Sequence, residues 1–171
     1  KDIRPGYWLT DKGGLSVWWC ESGWKIGRDR KAPEKPRTGR VQAVAISAAR
    51  GEFEPVQVIL RPERDGELIS AKVSPLGRAR DGKAAITLRL DEVAYVQVTK
   101  PPDKSCQPGW YPDPLPPLRT PLALRAGQNQ PLWLTFYVSR FTQAGHYRGE
   151  LQLKTTLGSI RVPLLRASLF S

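Results

Sequence analysis

Apolar and polar residues alternate along much of this chain with a period of two. Val56, Val58 and Leu60 share one face of an extended segment, and Gln57, Ile59 and Arg61 share the other. A small-residue turn, Ala48-Ala49-Arg50-Gly51, leads into Glu52-Phe53-Glu54, and Pro62 stops the run. Pro55 cannot donate to a ladder, so it belongs at the start of the strand or on an edge. The same period predicts strands over 15–20, 41–46, 68–74 and 147–154. Between 132 and 138 the alternation is clean: Leu132, Leu134, Phe136 and Val138 against Trp133, Thr135 and Tyr137. Residues 84–100 read as two strands or one bent strand, and Ile160, Val162 and Leu164 continue from a turn at 157–159. The pattern predicts about nine or ten short strands, mostly half-buried, joined by turns. That is an all-β fold, an antiparallel β-sandwich of immunoglobulin-like or jelly-roll-like type.

Three stretches lack this pattern. Residues 1–14 read as an extended lead-in. Residues 27–40 form a charged loop without apolar periodicity, expected to be the most mobile part of the chain. Residues 100–131 form a long Pro-rich loop whose nine prolines hold it stiff and partly extended. The chain is thus expected to be one domain spanning 1–171, long enough to bury a core.

Composition agrees with a globular β protein: 40% hydrophobic residues and six Trp exclude wholesale disorder, and no apolar run reaches membrane-spanning length. No Met occurs, so Lys1 is not an initiator and the chain is expected to be a processed or excised piece. The net charge is +11, and the excess is spread along the chain rather than packed into one tail. That argues against a nucleic-acid-binding arm and leaves a basic surface or a polyanion partner such as an acidic polysaccharide. Cys20 and Cys106 are too far apart in sequence for a zinc knuckle; a disulfide between them and two free thiols both fit.

Catalytic constellations are scarce. Asp91 and Glu92 are adjacent on a predicted strand, so their carboxylates point to opposite faces and read as surface charge. Glu52 and Glu54 share a face if extended, a loose match to an acid pair for glycoside cleavage. The structural reading is stronger: Arg50, Gly51, Glu52 and Glu54 fix a corner, the carboxylates meeting Arg50 or accepting turn N–H groups. His146 stands alone, no Gly-x-Ser-x-Gly occurs, and no metal site or cofactor is predicted. Tyr147 reads as a corner tyrosine bonded to nearby backbone. Trp18, Trp19, Trp24, Trp110 and Tyr111 are either packing residues or flat platforms for sugar rings.

Four blocks occur in order: Trp18-Trp19-Cys20-Glu21-Ser22-Gly23-Trp24-Lys25-Ile26, then Ala49 to Gln57, then Tyr111-Pro112-Asp113-Pro114-Leu115-Pro116-Pro117-Leu118, then Asn129 to Leu134 with Ala144 to Gly149. Together they resemble the N-terminal β-sandwich of bacterial glycoside hydrolase family 123-like proteins, including those carrying domain of unknown function 4091. The resemblance covers nearly the whole chain. It implies a secreted, periplasmic or cell-surface protein in which the sandwich precedes a catalytic barrel, whose acid belongs to an adjacent Asp-Glu pair. It also implies that the catalytic residues lie outside this chain, since Asp91-Glu92 falls in the sandwich. The expected role is then that of a non-catalytic accessory domain. Its partner is the barrel of the same protein, contacted through the 108–118 loop with Trp110 and Asp113. A carbohydrate-binding module using exposed Trp residues is the alternative, and a stand-alone hydrolase using Glu52 and Glu54 the third reading. Neither nucleic acid nor a membrane is an expected partner.

Overall fold

The computed structural model describes residues 6–37, 42–100 and 107–166. Among these residues the fold is all-β, with thirteen strands and no helix. In chain order they are β1 (Tyr7–Lys12), β2 (Leu15–Glu21), β3 (Val44–Ile46), β4 (Phe53–Pro62), β5 (Gly66–Val73), β6 (Leu76–Arg78), β7 (Ala84–Glu92), β8 (Tyr95–Val98), β9 (Gly109–Pro112), β10 (Leu122–Leu124), β11 (Gln130–Val138), β12 (Tyr147–Thr155) and β13 (Gly158–Arg166). One layer runs β1-β2-β4-β11-β7; the other holds β3, β13, β12, β5 and β10. The short β6 pairs with both β7 and β12, so the hydrogen-bonded ladder passes from layer to layer. Pairing is antiparallel except between β13 and β3. β8 and β9 form a separate hairpin-like pair.

The alternating strands build the core between the layers. Val56, Val58, Leu60, Leu132, Leu134 and Phe136 meet Leu151, Leu153, Val162 and Leu164 there, all buried. Two departures from simple alternation have local causes. The run Ile69, Ala71, Val73 does not share one face: the pairing of β5 with β12 slips at Ile69, which lies outside while Leu68 enters the core. Ala94, Val96 and Val98 also alternate, yet β8 lies outside the two layers and Val96 is exposed.

The lead-in is not a lead-in from Tyr7 onward. β1 pairs along β2, and the hairpin turns at Gly13-Gly14, both with positive φ (61° and 78°), as a two-residue turn of matching twist requires. The Pro-rich 100–131 stretch contains β9 and β10, and Asp91 bridges to Pro117 within it. Residues 101–106, with Cys106, lie outside the described residues, as do 38–40 of the charged loop and Val41 at the start of the predicted 41–46 strand.

Candidate functional site

The outer face of the β2-β4-β11-β7 layer carries the side chains that alternation sends away from the core. Trp18 and Cys20 on β2 stand beside Ile59 and Gln57 on β4, and Gln57 stands beside Trp133 on β11. Residues 22–37 cross this face as an irregular strap. Ile26, fully buried, and the half-buried Ala32 close over Trp18, Cys20 and Ile59, making a second small core. The described part of the charged loop thus lies against the sheet at Ala32. It lacks alternation because it contacts the sheet at scattered points.

A strap without regular structure leaves backbone carbonyls to be satisfied, and buried polar side chains supply the partners. The amide nitrogen of Asn129 donates to the carbonyls of Gly27 (2.9 Å) and Arg30 (2.8 Å), and its backbone N–H donates to Arg28 O (2.7 Å). Gln57 Nε2 donates to Trp24 O (2.6 Å) and the Tyr95 hydroxyl to Ile26 O (2.9 Å). Burial drives the Tyr95 hydroxyl pKa well above its usual value, and burial pushes the Cys20 thiol up to about 12. Trp18 Nε1 is the exception, buried without a hydrogen-bond partner among the described residues.

Two clefts flank the meeting of the strap with β8 and β9. The first, of about 250 Å³, is lined by Arg28, Tyr95, Trp110, Ala123, Arg125, Gln128, Asn129 and Gln130. Arg28 lies over the Trp110 ring, 4.3 Å from its centre, and 5.7 Å from the centre of Tyr95. Its Nη2 donates to Gln128 Oε1 (2.6 Å). The second cleft, of about 160 Å³, has apolar walls from Trp24, Trp133, Val93, Pro112 and Leu115. Lys25 Nζ and Asp113 Oδ1 lie 3.9 Å apart, both exposed, beside it. A third recess of about 300 Å³ lies on the uncovered end of the same face, where Phe53 stacks on Tyr137 with ring centres 4.6 Å apart.

The structure sorts the aromatic residues read from sequence. Trp18 and Trp19 are core residues, one under the strap and one between the layers, and present no ring to a ligand. The pattern put a Trp on each face of β2, and both faces are covered. Trp24 (42% exposed) and Trp110 (46% exposed) remain accessible, while Tyr111 is half-buried with its hydroxyl donating to Gln107 O (2.6 Å).

At the corner, Gly51 has a φ of 81° and its N–H donates to Val138 O (2.8 Å). The Glu52 carboxylate accepts from the Ala49 N–H (2.6 Å), and Arg50 is exposed. Glu54 has its carboxyl pKa raised by burial and secondarily by the charge of Glu52. Neither glutamate lines the three recesses above. The buried Tyr147 donates its hydroxyl to Gln143 O (2.7 Å). Asp91 is not a surface charge: it is buried beside Trp133 and accepts from Arg89 Nε (2.7 Å). Among the described residues Cys20 has no disulfide partner, and its thiol lies in the small outer core. Among the described residues no group of three or more His, Cys, Asp or Glu could hold a metal ion.

Sequence reasoning passed over Arg28, Tyr95, Arg125, Gln128 and Trp133. Asn129 stood inside one of the quoted blocks, directly before β11, which was the available signal.

No protein-family model matches the chain, and no curated protein matches it in sequence. Among solved structures, a family 123 glycoside hydrolase from Clostridium perfringens, described for glycolipid glycan hydrolysis, superimposes with a TM-score of 0.57 at 11% identity. The match covers 77% of this chain and 23% of that one, so the chain spans about a quarter of that enzyme's length. The CooA pilin subunit of enterotoxigenic Escherichia coli matches with a TM-score of 0.41 at 11% identity, over 91% of this chain and 99% of its own. A PapD-like domain of human CEP192 gives a TM-score of 0.34 at 15% identity, over 82% and 96%. These likenesses concern the all-β fold. The glycoside hydrolase is a distant structural neighbour.

Proposed function

We propose that this chain is a non-catalytic accessory β-sandwich of an exported glycoside-hydrolase-like protein, of the family 123 or domain 4091 type, packing against a catalytic barrel. The carrying observation is the fold shared with about a quarter of a much longer hydrolase. The clefts described above agree, since none is lined by a pair of carboxylates with the spacing that glycoside cleavage uses. The exposed rings of Phe53 (66% exposed) and Tyr137 on the open end of the sheet face are the surface such a partner covers. The reading carries a periplasmic or cell-surface location.

The test compares the product of the full coding sequence with residues 1–171 alone. Glycoside hydrolysis by the longer product only, with slower hydrogen exchange around Phe53 and Tyr137, supports the proposal. Hydrolysis by residues 1–171, abolished in Glu52→Gln or Glu54→Gln, overturns it in favour of the stand-alone enzyme. A carbohydrate-binding role is the second reading. It is favoured by one observation: the accessible rings of Trp24 and Trp110 each border a cleft.

A further inference from the structure

We propose that the cleft between the strap and the β8–β9 pair binds an anionic sugar unit, a pyranose carrying a carboxylate. Its lining holds two guanidinium groups and three side-chain amides beside the rings of Tyr95 and Trp110, and no carboxylate. Arg28 is the centre of the site. It is half-buried, it has no carboxylate partner among the described residues, and its side-chain nitrogens make one hydrogen bond, to the neutral amide of Gln128. A guanidinium stripped of part of its water and left without an anion favours any carboxylate that can reach it. Stacking over Trp110 covers one flat face and leaves the in-plane N–H edge for a two-point contact with a carboxylate.

The remaining groups supply what a sugar needs besides its charge. Trp110 is nearly half exposed, so its ring also meets the C–H face of a pyranose. Gln128 and Gln130 can donate to and accept from hydroxyl groups. Arg125 is paired with Asp65 at 3.2 Å, but both side chains are largely exposed, and a surface pair of this kind yields readily to a ligand. A space of about 250 Å³ is small beside a drug-sized pocket and suits one monosaccharide unit. Asn129 and Tyr95 fix the strap beneath the site by four bonds of 2.7–2.9 Å to the backbone of residues 26–30, so Arg28 is held in place before any ligand arrives. The overall charge of +11 draws polyanions to the surface in general; the stacked, unpaired Arg28 selects among them. The site does not depend on the accessory-domain reading, because binding needs no catalytic partner.

The test titrates the chain with oligo-galacturonate, oligo-glucuronate and oligo-mannuronate, following heat and Trp fluorescence at fixed salt. The methyl ester of each is the control: it keeps the sugar and removes the charge. At least one free acid is expected to bind, with esterification weakening it by about tenfold or more. Arg28→Gln is expected to weaken it by a similar factor, Arg28→Lys nearly as much, and Trp110→Ala to remove most of the fluorescence change. Circular dichroism and thermal midpoints establish that the variants fold, and an exposed arginine on β12, changed as Arg148→Gln, should leave binding intact. The proposal is overturned if none of the free acids binds at millimolar concentration. Equal binding of acid and ester overturns it too. So does binding of heparin or polyglutamate as tight as that of every uronide and unchanged in Arg28→Gln, since that is general charge attraction.

Discussion

The β2-β4-β11-β7 layer is covered on its inner face and on one end of its outer face, and the two are covered by different means. Its inner face meets the second layer through aliphatic and aromatic side chains in strict alternation, from Val56, Val58 and Leu60 to Leu132, Leu134 and Phe136. Its outer face is covered at one end by a strap with only Ile26 and Ala32 to offer as apolar contacts. Area removed from water holds the first interface, at roughly 25 cal/mol per Å². The second adds to a small apolar area, that of Trp18, Ile26 and Ile59, the hydrogen bonds of Asn129, Gln57 and Tyr95 that satisfy the strap's carbonyls. An irregular segment can lie on a sheet only where side chains satisfy its carbonyls, so a few polar residues decide whether that face is covered at all.

Substitutions can break this contrast, and the largest effect belongs to the inner face. Phe136→Ala leaves a large cavity between the layers and is expected to cost about 3–5 kcal/mol. Urea unfolding should show one shifted transition, with strap and core lost together. Asn129→Ala removes two donors from carbonyls under cover and is expected to cost about 1–3 kcal/mol. Its signature is local: hydrogen exchange should quicken across 24–32 while β11 and β12 stay protected. Cys20 reports the same event. With its thiol buried and its pKa pushed up to about 12, it should resist iodoacetamide at pH 8 in the native chain and react in Asn129→Ala. Rapid labelling of Cys20 in the unchanged protein would show that the strap does not close the face.

A smaller effect is expected at the edge of the inner face. Burial raises the pKa of Glu54 above its ordinary value of 4.5, with Glu52 adding to the shift. A raised pKa means stability that is fully present below the unfolded value and lost as pH rises through the folded value. Glu54→Gln removes that loss. The variant should therefore melt slightly higher than the parent at pH 7, with the gap closing below pH 4.5, as thermal scans across pH would show. The smallest effect falls at the outer rim: Trp24→Ala should change stability by less than about 0.5 kcal/mol, since its ring lines an open cleft.

The contrast also explains what could be read from the sequence. Burial by area leaves a period. Leu132, Leu134, Phe136 and Val138 were legible as core, and all four are fully buried. Burial by hydrogen bonds leaves none. Asn129 holds Gly27 from 102 positions away, and nothing in the local composition of either segment announces the pair. β1 was missed because it is short, though Tyr7 and Leu9 stand two apart within it. Of the candidate site, the accessible Trp24 and Trp110 were legible as unusual aromatics. Arg28, Arg125 and Gln128 were not, because one arginine among many in a basic chain carries no motif until the fold stacks it on a ring.

The hairpin of β1 and β2 has a further consequence for how the molecule is assembled in time. Its tip rests against the tip of the β12–β13 hairpin: Lys12 Nζ donates to Ser159 O at 3.1 Å, and a Cβ on Gly13 would stand 2.1 Å from the carbonyl oxygen of Leu157. The seat for the first hairpin is thus made from residues as far as 147 positions further along the chain. β4, the neighbour of β2, likewise waits for β11 on its other side. During translation β1, β2 and β4 can pair with one another early, but they gain β11 as a neighbour and the seat at Ser159 only when those distant residues have emerged. Folding dominated by such distant pairings is slow, on the order of milliseconds to seconds. Through that interval the inner face to which Trp19 belongs is uncovered, which leaves this stretch of the nascent chain in need of protection from aggregation.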